Sequence, residues 1–135
     1  SRRAPEPVGA YPHARRVGNL LFLSGVGPRQ RGSKEIPGVT LDADGTVVAK
    51  DIAAQCASCF GNVKAILEDA GSSWDNVVDV LVFLTDMEHD FAEYNRVYAE
   101  WFAGEGKPNP TRTTIEINRL PTPIAVEVKV VATID

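Results

Sequence analysis

Two segments of the chain carry apolar residues three or four positions apart, which is the spacing of an amphipathic helix. The first begins after Asp51, a favourable N-cap residue, and ends before Gly71, where the chain can leave the helix. The second is predicted to begin at Asp90, with Glu93 completing a capping box, and to end at Gly104. The pattern therefore predicts two helices, each with one apolar face.

Other segments favour β-strands. Residues 76–84 are almost continuously apolar and β-branched, which is typical of a central strand covered on both faces. Residues 113–117 and 124–134 alternate polar and apolar side chains, and we predict that they pair as a hairpin across a proline-containing turn. Two shorter strands and one further hairpin are predicted at residues 15–17, 20–23 and 39–48.

These elements indicate an α+β domain of two layers, in which two helices pack on one face of a mixed sheet. The 135 residues are enough for one domain with its own hydrophobic core. Residues 1–8 are charged and proline-rich, and we expect them to form a mobile N-terminal arm beside a single domain at residues 9–135. The uncovered sheet face also needs a partner, so we expect a closed homo-oligomer.

Composition and charge narrow the class of protein. The net charge of −4 argues against a nucleic-acid partner, because phosphate binding needs lysines and arginines gathered on one face. No apolar run approaches the ~20 residues of a membrane-spanning helix. We therefore predict a protein that binds neither nucleic acid nor membrane.

Cys56 and Cys59 form a C-x-x-C motif, which is compatible with a redox pair, half of a metal site or two core thiols. Both lie on the apolar stripe of the first helix, and only His13 and His89 could complete a metal site. We favour two reduced core thiols, which are typical of a cytoplasmic protein, and predict no metal.

Arg112 and Glu127 are the candidate chemical groups, since the predicted hairpin brings them opposite each other. A guanidinium offers a planar fork for a substrate carboxylate, and a nearby carboxylate can orient or deprotonate a water. The alternative is a cross-strand ion pair contributing about 0.2–1 kcal/mol, and the spacing alone favours that reading. Asn95, beside the second apolar stripe, is likewise either a packing residue or a ligand contact.

Backbone features add to this candidate site. Ser24-Gly25 ends the second strand, and the missing side chain of Gly25 allows a ligand or another backbone to approach closely. Residues 26–38 lack periodicity and form a loop long enough to line or cover a site.

Several short motifs occur together over residues 9–133. They are Gly9-Ala10-Tyr11, Leu23-Ser24-Gly25, Asp90-Phe91 with Asn95, Pro110-Thr111-Arg112-Thr113, and Leu120-Pro121 followed by Val126-Glu127-Val128. In this combination the chain resembles the RidA (YjgF) family of reactive-intermediate deaminases.

The resemblance implies a chorismate-mutase-like fold, a homotrimer with clefts between subunits, and hydrolysis of an imine or enamine acid without a cofactor. Arg112 and the backbone N–H of Thr114 would bind the substrate carboxylate, and Glu127 would hold the attacking water. The backbone near Ser24 and Gly25 would stabilise developing charge. Three further residues, Tyr11, Phe91 and Asn95, would shape the cleft.

The resemblance also bears on the substrate. Thr114 stands where many imine deaminases of the family have cysteine, and Ala10-Tyr11-Pro12-His13 resembles the 2-aminomuconate deaminase branch, which acts on an enamine dicarboxylate. A second carboxylate would need a second donor, for which His13, Arg15 and Arg29 are candidates. The alternatives are a general 2-imino acid deaminase and a non-catalytic module that binds small acids or another protein. RNA cleavage, which has been attributed to members of this family, is a third alternative that the acidic charge balance argues against.

Overall fold

The computed structural model describes all 135 residues. Its strands are β1 (Ala14–Val17), β2 (Leu20–Leu23), β3 (Val39–Leu41), β4 (Val47–Lys50), β5 (Val77–Leu84), β6 (Thr111–Glu116) and β7 (Val126–Thr133). Its helices are α1 (Ile52–Asp69) and α2 (Met87–Phe102). Five strands form one sheet in the order β1-β2-β7-β5-β6, and β3 and β4 form a separate hairpin. The predicted α+β class with a mixed sheet is confirmed.

The first helix forms as its sequence predicts. The side chain of Asp51 accepts a hydrogen bond from the backbone N–H of Ala54 at 3.1 Å, which caps the N-terminus of α1. Gly71 follows the helix with φ of 92°, a left-handed conformation that glycine adopts without steric cost. The apolar stripe of α1 is buried, and it includes Cys56 and Cys59.

The second helix begins one turn earlier than predicted. Asp86, not Asp90, is the N-cap, and it accepts the N–H of His89. Asp90 lies inside the helix, is 4% exposed, and accepts a hydrogen bond from Lys50 Nζ at 2.6 Å. Lys50 Nζ also contacts Asp86 Oδ2 at 3.3 Å, so the ion pair does not distinguish the two aspartates. Both are followed by suitable helix residues, and only the tertiary packing shows which one is buried.

The predicted hairpin between β6 and β7 is wrong. The central strand β5 lies between them, pairing with β6 in parallel and with β7 in antiparallel orientation. Arg112 is therefore in register with Val80, whereas Glu127 is in register with Phe83, and the two are not cross-strand neighbours. The connection from β5 to β6 runs through α2, which lets two parallel strands pair.

The two faces of the sheet differ in cover. Side chains facing the helices, such as Val80, Val82 and Val128, are 0% exposed and form the core. The opposite face keeps apolar side chains in contact with solvent, including Phe22 at 38% and Ile115 at 39% exposed. One chain thus covers β5 on one face only, and the other face is available for a partner.

Residues 1–8 lie against the body of the domain. Ala4 is 0% exposed and belongs to the core cluster, and Arg3 forms an ion pair with Asp69 at 2.6 Å. Arg31 contacts the same segment through a hydrogen bond to the Ala4 carbonyl at 2.7 Å and an ion pair with Glu6. The mobility of the arm stays a prediction, and these are the contacts that movement would break.

Candidate active site

Arg112 sits near the start of edge strand β6, with its side chain directed towards α2. Its Nη1 donates a hydrogen bond to Asn95 Oδ1 at 2.8 Å, and no carboxylate pairs with the guanidinium. Its Cζ lies over the rings of Tyr98 at 4.6 Å and Tyr94 at 5.4 Å. These neutral contacts orient the guanidinium and leave N–H donors for an anionic ligand.

Tyr94 also connects Arg112 to Thr114. The Tyr94 side chain is 0% exposed, and its hydroxyl shares a hydrogen bond of 2.6 Å with Thr114 Oγ1. Burial raises the pKa of the Tyr94 hydroxyl, so it stays protonated at neutral pH. Phe91, one turn earlier on α2, is 38% exposed beside Tyr94. We call Phe91, Tyr94, Asn95, Arg112 and Thr114 the arginine half-site.

Glu127 occupies a different place in the fold. It lies on β7 between Val126 and Val128, whose side chains are in the core, so its own side chain leaves the opposite face of the sheet. Burial raises the pKa of its carboxyl group, and the charge of Arg29 opposes that rise only in part. A carboxylate with a raised pKa is a stronger base towards water.

Gly25 makes room for this carboxylate. A Cβ atom at position 25 would lie 2.7 Å from Glu127 Oε2, closer than real side chains approach. Tyr11, His13, Ser24 and Gly25 line one small cavity of about 30 Å³ together with Arg29. These five residues and Glu127 are the glutamate half-site.

Hydrogen bonds hold the rim of the glutamate half-site in place. The hydroxyl of Ser24 donates to the Pro12 carbonyl at 2.8 Å, and the backbone N–H of Ser24 donates to the His13 carbonyl at 3.0 Å. Tyr11 is 41% exposed at the opening. A larger cavity of about 540 Å³ lies beside residues 118–125, and none of the predicted site residues lines it.

The two half-sites lie apart within one chain. Arg112 and Glu127 are two strands and three register positions from each other, which separates their Cα atoms by about 14 Å. Their side chains also leave opposite faces of the sheet, since Arg112 contacts α2 and Glu127 contacts Gly25. The predicted arrangement, with both groups at one end of a hairpin, is therefore wrong.

The remaining candidate chemistry lies in the core. Burial raises the pKa of Cys56 to about 12 and that of Cys59 well above its ordinary value, and both thiols are free. The Cys59 thiol donates to the Val26 carbonyl at 3.0 Å. These contacts support the interpretation of the C-x-x-C motif as two core thiols. None of the helices has the length and hydropathy needed to cross a membrane.

Comparison with known proteins identifies the family. The family model described as Endoribonuclease L-PSP matches residues 1–134. A RutC family protein of Pyrococcus abyssi is 38% identical over 133 residues, covering 98% of this chain and 92% of the relative. The chain belongs to the RidA (YjgF) family.

Other members of the YjgF family connect the fold to small-molecule chemistry. The 2-iminobutanoate/2-iminopropanoate deaminase of Escherichia coli is 31% identical over 132 residues, covering 98% of this chain and 93% of its own. The E. coli TdcF structure with bound serine has a TM-score of 0.84 at 31% identity, covering 100% of this chain and 96% of TdcF. The E. coli YjgF structure has a TM-score of 0.83 at 31% identity, covering 98% and 94%. The predicted chorismate-mutase-like fold is therefore confirmed.

The aromatic support beneath Arg112, formed by Tyr94 and Tyr98, is absent from the predicted site residues. Both residues belong to the apolar stripe of α2 and pack in the core, with Tyr94 0% and Tyr98 7% exposed. The sequence does contain a signal for this support: Tyr94 and Tyr98 lie one helical turn apart, next to Asn95. Two tyrosines on one face of a helix can both contact a cationic side chain.

Proposed function

We propose that this chain is a hydrolytic deaminase of imine or enamine acids, with each active site built from the arginine half-site of one copy and the glutamate half-site of the next. The observation that carries the proposal is the division of the catalytic groups between opposite faces of one sheet. A group that binds a carboxylate and a group that activates water must lie within a few ångströms of one small substrate. A second copy, in the expected homotrimer, supplies the missing half.

The contacts of Arg112 and Glu127 indicate a different role for each residue. Arg112 binds the substrate carboxylate with the donors that Asn95 leaves free, and Thr114 adds its backbone N–H. Glu127 holds a water and accepts its proton as the oxygen bonds to the imine carbon. That proton then goes from Glu127 to the nitrogen, the C–N bond breaks as the new hydroxyl group gives its own proton to Glu127, and a keto acid and ammonia leave. The protonated imine nitrogen draws electrons from the carbon, so the reaction needs no further electrophile.

Two substrate classes are considered, a short 2-imino acid and an enamine dicarboxylate. The E. coli relative named as a 2-iminobutanoate/2-iminopropanoate deaminase favours a short 2-imino acid. The finer proposal is an enamine dicarboxylate such as 2-aminomuconate. Ammonia release from freshly generated samples of each substrate distinguishes the two.

Variants test the assigned roles. Arg112→Ala should raise KM steeply, and Glu127→Gln should lower kcat while binding is largely kept. Arg16→Ala is the matched control, because it removes a positive charge from an exposed position on β1. Full activity of Glu127→Gln would remove the general-base role. Binding of a small acid without ammonia release from any imine would favour the non-catalytic module.

A mixing experiment tests the shared site. Arg112→Ala and Glu127→Gln are each defective in one half-site, so refolding an equimolar mixture restores about a quarter of the sites in a cyclic assembly. Recovered activity in the mixture is the expected result. If the mixture is no more active than the sum of the two variants, the active site does not lie between copies.

A further inference from the structure

Arg29 is a second guanidinium that lines the candidate site without a carboxylate partner. Three other arginines do have a carboxylate partner: Arg3, Arg31 and Arg96 each form an ion pair with an acidic residue on the surface. Arg29 forms no ion pair, and its one hydrogen bond runs from Nη2 to the backbone carbonyl of Glu6 at 2.8 Å. It resembles Arg112 in this respect, since a neutral oxygen orients each of the two guanidiniums.

His13 makes the equivalent contact beside Arg29. Its Nε2 lies 2.7 Å from the Pro5 carbonyl oxygen, and because a carbonyl can only accept, Nε2 carries the hydrogen. The carbonyls of Pro5 and Glu6 belong to consecutive residues, so two neighbouring oxygens face two neighbouring donors. A carboxylate likewise presents two oxygens, and charge makes it the stronger acceptor.

We infer that Arg29 and His13 bind a second anionic group of the ligand, most simply a carboxylate remote from the reacting carbon, in place of the Pro5 and Glu6 carbonyls. This inference rests on the proposed function and extends it to the class of substrate. The cavity of about 30 Å³ has room for roughly two water molecules while residues 5–7 line it. The second anionic group therefore replaces the segment's carbonyl oxygens.

The structure also decides among the donors considered from the sequence. Arg15 lies on β1 opposite Phe22, is exposed, and does not line the cavity. Arg29 lines it beside Ser24 and Gly25 and acts on the charge of Glu127. The second anionic group would thus lie on the side of the glutamate half-site, away from the carboxylate that Arg112 holds.

Equilibrium binding of two matched keto acids tests this subsite without turnover. The probes are 2-oxohexanoate and 2-oxohexanedioate, which have the same six-carbon chain and differ in the second carboxylate. We expect the wild-type protein to bind the dicarboxylate about tenfold or more tightly, as measured by calorimetry, because it gains charge-assisted hydrogen bonds. Arg29→Gln should bring the ratio of the two affinities close to one, and because this ratio is taken within one variant it does not depend on any general change in binding.

Arg31→Gln is the matched control. Arg31 holds the same N-terminal segment, through Ala4 and Glu6, but it does not line this cavity. It should therefore keep the preference for the dicarboxylate. If Arg31→Gln removes the preference as fully as Arg29→Gln does, the segment and not the guanidinium is responsible, and the inference is overturned.

The two proposals fail in different ways. Arg112→Gln should weaken binding of both acids, and a wild-type protein that binds neither acid contradicts the proposed function. If both acids bind through Arg112 but Arg29→Gln leaves their affinity ratio unchanged, the second anionic subsite is refuted and the proposed function stands.

Discussion

The substitution Gly25→Ala tests whether the position of the Glu127 carboxylate controls activity. The added Cβ would lie 2.7 Å from Glu127 Oε2 and 2.9 Å from its Cδ. Ordinary van der Waals contact begins at 3.4 Å, so the carboxylate must move by 3.4 − 2.7, or about 0.7 Å. The backbone of residue 25 is not left-handed, so alanine adds no conformational strain of its own.

The expected result is a loss of rate with little loss of stability. A misplacement of about 1 Å can cost about 100-fold in rate, so we expect kcat to fall by roughly 10- to 100-fold. Overpacking in a rigid core costs about 1–3 kcal/mol, but the half-exposed end of Glu127 can rotate away. Replacing glycine also lowers the entropy of the unfolded chain, which offsets about 0.4–1 kcal/mol. The free energy of unfolding should therefore change by no more than about 1 kcal/mol.

Gly27→Ala provides the control, since its Cβ would lie 2.8 Å from Ile124 Cδ1 and crowd an apolar side chain instead. Ammonia release and urea denaturation measured on both variants separate catalysis from stability. In a double-mutant cycle, Gly25→Ala should cause little further loss in the Glu127→Gln background, because both act on the same carboxylate. Wild-type kcat in a stable Gly25→Ala variant would refute the reasoning, and so would an equal loss in Gly27→Ala.

Three further predictions follow from buried groups. The acid limb of the kcat/KM profile against pH should lie above the ordinary pKa of glutamate, because protonated Glu127 cannot accept a proton. Arg29→Gln removes a charge that lowers the pKa of Glu127, so it should move that limb to higher pH. An unmoved limb would contradict this assignment. Tyr94→Phe keeps the ring but removes the hydroxyl that is hydrogen-bonded to Thr114, so KM should rise about 3- to 10-fold with kcat nearly unchanged. A wild-type KM would show that this hydroxyl does not position the arginine half-site. Cys56 and Cys59 should resist an aromatic disulfide reagent at pH 8 until denaturant is added, and rapid labelling of the folded protein would contradict their burial.

Local patterns in the sequence predict the individual helices and strands. Asp51 and Gly71 mark the ends of α1 because capping and left-handed glycine depend on neighbouring residues alone. Periodicity likewise indicated the amphipathic helices and the strong central strand β5. The residue types at positions 112 and 127 are compatible with carboxylate binding and water activation, but their spacing alone favours an ion pair, and it is the family resemblance that implies the chemical roles.

Which elements lie next to each other depends on long-range packing. Strand pairing depends on contacts distant in sequence, so alternation could not show that β5 separates β6 from β7. The insertion separates Arg112 from Glu127 by one strand, and their offset of three register positions, an odd number, places the two side chains on opposite faces of the sheet. Burial of Asp90 and the approach of Arg29 to the glutamate half-site have the same cause, because each depends on where a separate segment packs.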